Sequence, residues 1–297
     1  MRDNKLFLIC PCYNEEEMLQ ISAGKLYDLL EQLIITHRVS DDSQIIFVDD
    51  GSKDKTWEII ENLHKENSTY TGIKLTRNFG QYSALAAGYM YAKDNADFCI
   101  SLDVDLQDDI TIIPEMIDKY HGGAETVLAI RNDRSNDDPL KKMTAKAYYK
   151  LNEWLGSKMI PDHPDYRLLS NKALNVMEKY IDKDPYMRGI IPLIGLKTER
   201  VYFKRQKREA GTTKFNYRKL IQIAVQAIVR TSNRLLIFPI IPAFIAFLGL
   251  FIHIPAEVYW IFLFLTLLCF GFYLGDIKTQ VHNAPPYMID KITEKQE

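Results

Sequence analysis

Short runs of consecutive apolar residues alternate, through the first half of this chain, with segments whose apolar residues recur at helical spacing. Leu6–Cys10, Gln44–Val48, Gly72–Leu75, Asp97–Leu102 and Thr126–Ile130 are short and rich in aliphatic or β-branched residues, which predicts buried strands. Residues 15–36, 54–67, 81–94 and 111–121 carry the helical spacing. Strand–helix–strand alternation predicts an α/β fold around a mostly parallel sheet covered on both faces. Ligands of such sheets bind beyond the C-terminal strand ends. Polar clusters fall there three times: Tyr13–Glu17, Asp49–Ser52 and Asp103–Asp109.

The pattern changes near the C-terminus. Two apolar runs, 235–253 and 258–274, contain no acid, Lys or Arg. Each approaches the roughly 20 residues that cross a bilayer core. They predict a two-helix transmembrane hairpin over 235–275, its first span kinked by Pro239 and Pro242. Just before it, residues 217–234 predict an amphipathic helix. Its stripe of Lys219, Gln222, Gln226 and Arg230 opposes one of Leu220, Ile221, Ala224, Val225 and Ile228. The expected organisation is a catalytic domain over 1–216, this juxtamembrane helix, the hairpin and a cytoplasmic tail over 276–297.

Charge sharpens the picture. The net charge of −2 conceals an asymmetry: residues 1–138 carry 13 Lys/Arg against 26 Asp/Glu, and residues 139–234 carry 21 against 8. The basic half leads into the apolar runs, which favours contact with anionic lipid headgroups. No nucleic-acid-binding motif accompanies the charge, so nucleic acid is not the expected partner. The four cysteines have neither disulfide nor metal-ligand spacing, as suits a reduced, cytoplasmic domain. Arg230, Arg234 and Lys278 flank the hairpin, so both termini are expected on the cytoplasmic side of a plasma or inner membrane.

The polar clusters carry the candidate chemistry. Asp103 and Asp105, two apart at a strand end, can turn toward one hard cation with Gln107 beside them; Mg²⁺ or Mn²⁺ takes such oxygen ligands and keeps places for phosphate oxygens. An acidic turn capping the helix near residue 111 is the plainer reading of the same residues. In the second cluster Gly51 permits a tight turn, and Ser52 or Asp54 can cap the next helix. Capping leaves the adjacent Asp49 and Asp50 unexplained, and these could accept hydrogen bonds from a base or ribose. The first cluster sets Tyr13 and Asn14 beside acids, either a nucleoside floor or, for Asn14, a simple cap.

These residues resemble a known family. P-x-Y-N-E at Pro11–Glu15, V-D-D-G-S-x-D at Val48–Asp54 and D-x-D-L-Q-D at Asp103–Asp108 are similar to motifs of the inverting family-2 glycosyltransferases with the GT-A fold. The likeness continues through Arg77–Gln81, Asp165–Leu168, Arg208–Lys214, the apolar runs and the tail motif from Tyr273 to Tyr287. The joint pattern resembles bacterial polyprenyl-phosphate glycosyltransferases, related to dolichol-phosphate mannose synthases. It departs from them at Thr213, where serine is usual, and at Asp276, where a basic residue is usual.

The resemblance implies a GT-A catalytic domain, Rossmann-like, that takes a UDP-sugar, glucose before N-acetylglucosamine, and transfers the sugar to undecaprenyl phosphate. It places Pro11, Tyr13, Asn14, Glu15, Asp49, Asp50, Gly51, Ser52 and Arg77 around the nucleotide sugar, and Asp103, Asp105 and Gln107 around the metal and diphosphate. Arg131, Arg208 and Lys214 are implied as phosphate-holding catalytic cations, with Arg205, Asp165 and Arg167 completing an acceptor site. It also implies a homotetramer. Deleting residues 235–297 is expected to spare donor binding while impairing use of the lipid. A processive polysaccharide synthase is disfavoured because no Arg-Trp pair occurs; a non-catalytic nucleotide-sugar binder is the alternative of a different class.

Overall fold

The computed structural model describes residues 4–131, 150–156, 165–181, 186–204, 240, 243–245, 247–248, 255–282 and 285–293. The five expected strands form: β1 (Leu6–Cys12), β2 (Gln44–Asp49), β3 (Tyr70–Leu75), β4 (Phe98–Ser101) and β5 (Thr126–Arg131). Between them lie α1 (Leu19–Ile35), α2 (Thr56–Glu66), α3 (Gln81–Asn95) and α4 (Ile113–His121), matching the four helical segments. Beyond these the sequence pattern predicts no element before residue 217. The chain adds β6 (Arg167–Ser170), α5 (Asn171–Ile181), the short α6 (Met187–Ile190), β7 (Thr198–Phe203) and β8 (Ile289–Ile292), while α7 (Ala256–His282) spans the expected second apolar run.

The strands make one sheet in the order β7-β5-β6-β4-β1-β2-β3-β8. β1, β2, β3 and β4 run parallel, while β6 is antiparallel to both β4 and β5. Two antiparallel reversals leave β5 pointing the same way as β4. Side chains of β1 alternate between two covered faces. Leu6, Leu8, Cys10 and Cys12 join a buried cluster with Leu26 and Leu30 of α1, Ile60 of α2 and Met116 of α4. On the other face Phe7 stacks on Tyr91 of α3 at 5.8 Å. Burial of each such side chain contributes about 1.5–3 kcal/mol, against which backbone ordering must be set.

The chain proceeds outward from β1 through β2 to β3, then returns to the opposite side of β1 as β4. The crevice beyond β1 and β4 is therefore a topological switch point, where open α/β sheets bind ligands. Because β5 parallels β4 and β6 starts where β4 ends, Arg131 and Arg167 arrive at that same edge; Ser101 is registered opposite Arg167.

Within the expected hairpin, one helix is fully described. Residues Glu257–Gly275 of α7 form a 19-residue segment of mean hydropathy 2.0, only 6% buried. Trp260, Phe264, Leu267 and Leu274 are all exposed. An apolar helix with its surface uncovered suits lipid rather than water. Among the described residues it is the one helix long and apolar enough to cross a membrane. Most of the other expected span, 235–253, lies outside the described residues, as does the whole expected amphipathic helix 217–234. The tail, expected as a separate cytoplasmic segment, contributes β8 to the sheet.

Candidate active site

The β1 and β2 loops are tied to one another by hydrogen bonds that explain their composition. Asn14 adopts a left-handed backbone with φ of 53°, which asparagine tolerates better than most residues. Its N–H donates to Ser52 Oγ at 2.9 Å, and its Oδ1 accepts the Lys53 N–H at 2.9 Å. Glu15 N–H donates to Thr56 Oγ1 at 2.9 Å. Asn14 and Ser52 are therefore loop-to-loop ties, not helix caps; the capping-type bond at α2 is made by Asp54 Oδ1 to Thr56 N–H, 3.0 Å. Pro11, Tyr13 and Glu15 are part-exposed at the edge of the crevice.

Asp49 and Asp50 differ in role. Asp49 Oδ1 accepts the Ser52 N–H at 3.0 Å and closes the turn, while Oδ2 is buried with no hydrogen-bond partner among the described residues. Asp50 takes both backbone N–H groups of the next loop, from Phe79 at 2.7 Å and Gly80 at 2.8 Å. Burial pushes its carboxyl up to about 6, against the opposing pull of those two donors. Gly51 has φ of +66°, and a Cβ there would stand 2.4 Å from the Arg77 carbonyl carbon. The turn is glycine because the backbone of Arg77 and Asn78 presses on it. The Arg77 guanidinium lies 3.8 Å over the Phe79 ring.

At the end of β4, Asp103 receives a hydrogen bond from Gln81 Nε2 at 2.8 Å. Leu106 turns the loop with φ of 47°, its N–H on the Asp103 carbonyl at 3.2 Å. Gln107 N–H donates to Asp105 Oδ1 at 3.2 Å. Asp109 Oδ1 accepts the Thr111 N–H at 3.0 Å, so the capping reading holds for Asp109. Burial first, then the charges of Asp108, Asp165 and Asp105, push the Asp103 carboxyl up to about 7; Arg131 opposes them.

Around this carboxylate cluster sit the cations of the far half of the sheet. Arg131 lies 3.5 Å from Asp108. Arg167 has no exposed surface and pairs with buried Asp165, which also faces Arg188 at 3.8 Å. The resemblance implies Arg167 in the acceptor site. Its guanidinium is buried beside Asp165. Arg205, Arg208 and Lys214 lie outside the described residues.

The structure thus brings Pro11–Glu15, Asp49–Ser52, Arg77, Asp103–Gln107, Arg131, Asp165 and Arg167 to one sheet edge. Gln81 and Asp108 are further members that the candidate residues above do not include. Both fall inside the quoted motifs, but only their geometry shows that they face Asp103 and Arg131. A divalent cation fits the donor chemistry: burial and the charges of Asp108, Asp165 and Asp105 raise the Asp103 carboxyl, and positive charge would favour its ionised form. Among the described residues no group of three or more His, Cys, Asp or Glu forms a ready metal cage.

The loops gather at the switch-point crevice, and sequence comparison gives the class. Residues 7–177 match the glycosyl transferase family 2 model, and the chain belongs to that family. It is a glycosyltransferase with a GT-A-type fold. The uncharacterised glycosyltransferase YkoT of Bacillus subtilis is 37% identical over 308 residues, covering 96% of this chain and 91% of that protein. A prophage bactoprenol glucosyl transferase homologue of Escherichia coli is 35% identical over 268 residues, covering 90% and 83%. Among solved structures, the mannosyltransferase PcManGT of Pyrobaculum calidifontis, in complex with GDP-Man and Mn²⁺, superposes with a TM-score of 0.50. That match has 12% identity over 77% of this chain and 63% of that one, a likeness of fold alone.

Proposed function

We propose that this chain transfers a sugar, glucose before N-acetylglucosamine, from its UDP-linked form to undecaprenyl phosphate at the cytoplasmic face of the plasma or inner membrane. The observation that carries the proposal is the union, in one chain, of a family-2 glycosyltransferase edge with an exposed apolar helix of membrane-spanning length. Relatives named bactoprenol glucosyl transferases, aligned over 90% or more of the chain, support the same acceptor. The proposal includes the two-span anchor, the juxtamembrane helix and a homotetramer.

In this reading Pro11, Tyr13, Glu15, Asp49 and Arg77 surround the base and ribose, while Asn14, Asp50, Gly51 and Ser52 hold the loops that frame them. Asp103, Asp105 and Gln107 would hold Mg²⁺ or Mn²⁺, whose charge neutralises the departing diphosphate. A phosphate monoester is largely ionised near pH 7 and needs no dedicated base. The lipid phosphate oxygen forms a bond to the anomeric carbon as the bond from that carbon to the UDP oxygen breaks, and the centre inverts. Arg131, Arg205, Arg208 and Lys214 hold the phosphate groups as charge-assisted donors. Arg167 keeps Asp165 in place. The protein contributes alignment and charge, the two effects that matter most when nucleophile and leaving group are both phosphates.

Mass spectrometry of undecaprenyl phosphate after incubation with the detergent-purified protein, a divalent cation and a panel of UDP-sugars tests the proposal. One hexose added to the lipid from UDP-glucose is the expected result. An unmodified lipid with every UDP-sugar would overturn it.

A further inference from the structure

We propose that the C-terminal strand β8 is a positioning element of the nucleotide site, fixing the loop Thr76–Gln81 through its pairing with β3. The structural part rests on the geometry alone; its kinetic consequence rests on the proposed function. β8 runs antiparallel to β3, with Ile73 opposite Ile292 and Lys74 opposite Lys291. It is pinned at both ends. Thr293 N–H donates to the Gly72 carbonyl at 2.9 Å, and Thr293 Oγ1 accepts the Gly72 N–H at 2.8 Å. At the other end the Met288 carbonyl accepts the N–H of Thr76, 2.9 Å away.

Thr76 is the first residue beyond β3, and each following residue of its loop is built into the site. The backbone of Arg77 and Asn78 presses on Gly51. The amides of Phe79 and Gly80 bind Asp50, and the side chain of Gln81 binds Asp103. One unbroken segment of six residues therefore runs from the tail strand to the carboxylate at the end of β4. Without β8, β3 would be an edge strand with unpaired backbone groups, and the Thr76 N–H would lose its protein partner.

β8 fills little of the core: Ile289 is 41% exposed and Ile292 37% exposed. Its contribution is backbone pairing, which fixes register and the start of the loop, rather than apolar burial. β8 is also the element that follows the apolar helix α7 in the chain. Removing residues 235–297 thus removes a strand of the sheet together with the membrane segment. The expectation that such a deletion spares donor binding gives way to the opposite one.

The test compares the full-length protein in detergent with three variants: a chain ending at Tyr287, Thr293→Val and Thr293→Ser. Hydrogen exchange at the Thr76, Phe79 and Gly80 amides should quicken roughly tenfold in the truncated chain and several-fold in Thr293→Val. Thr293→Ser, which keeps the hydroxyl, should match the wild type. The donor KM should rise in the same order while the acceptor KM stays unchanged. Unchanged exchange at those three amides in a folded truncated chain would overturn the proposal. If that chain does not fold, Thr293→Val exchanging like Thr293→Ser would overturn it. Failure of the full-length protein to bind UDP would sink the UDP-sugar reading and leave the exchange measurement to decide the role of β8.

Discussion

Gln81 Nε2 stands 2.8 Å from Asp103 Oδ1, joining the first residue of α3 to the carboxylate at the end of β4. The bond holds one Asp103 oxygen in a fixed direction and, in the proposed site, leaves the other for the cation. A hydrogen bond to a charged group is worth about 1.5–3 kcal/mol, so its loss corresponds to roughly 10–100-fold in a rate that depends on that orientation. Gln81→Ala should lower kcat by this order with little change in melting temperature, because Gln81 is exposed. Steady-state kinetics at saturating divalent cation check it; a wild-type kcat would show that Asp103 needs no such orientation.

Asp105→Ala should abolish transfer while leaving the fold intact, because Asp105 is part-exposed in a loop and its carboxylate accepts one backbone N–H there. Calorimetry with Mn²⁺ and UDP should show the cation-dependent part of UDP affinity lost. Turnover at the wild-type rate would remove Asp105 from the proposed metal site.

The Asp103 carboxyl, pushed up to about 7 by burial and neighbouring acids, gives the proposed cation site a definite pH dependence. Between about pH 4 and 7 the folded protein keeps a proton that the unfolded chain has released. Ionising Asp103 therefore costs the cation-free fold stability as pH rises through that window. In the proposed site a divalent cation would take the carboxylate and compete with the proton. The rise in melting temperature on adding Mn²⁺ and UDP should be small at pH 6 and larger at pH 8. An equal rise at both would contradict the proton competition.

Gly51→Ala places a Cβ 2.4 Å from the Arg77 carbonyl carbon, at a residue whose φ is +66°. Both effects act on backbone that cannot rotate away, so the β2 turn and the Arg77 loop must separate. A loss of stability of about 1–3 kcal/mol is expected, with a fall of several degrees in melting temperature. UDP affinity should fall with it. Unchanged melting and affinity would mean the two loops are not in the contact described here.

What the sequence made legible follows from physics that acts locally. β1, β2 and β4 are buried on both faces, so Leu6–Cys10, Gln44–Val48 and Asp97–Leu102 stand out as apolar runs. β6 did not, because its buried residues include Arg167, whose charge is matched only by folding beside Asp165. β7 and β8 lie at the two sheet edges, with exposed positions among their side chains, and they carry no apolar run; their pairings form with partners distant in sequence. The loops at the strand ends were legible as a site from residue type and position. The division of labour between Asp49 and Asp50, the Gln81 contact and the burial of Arg167 depend on those distant pairings.

The central claim, sugar transfer to a lipid phosphate, is tested most directly by UDP release from UDP-glucose with and without undecaprenyl phosphate, in wild type and Asp105→Ala. The account predicts release that requires the lipid phosphate and a divalent cation and is absent in the variant. Release at the same rate without the lipid, or undiminished in Asp105→Ala, would contradict it.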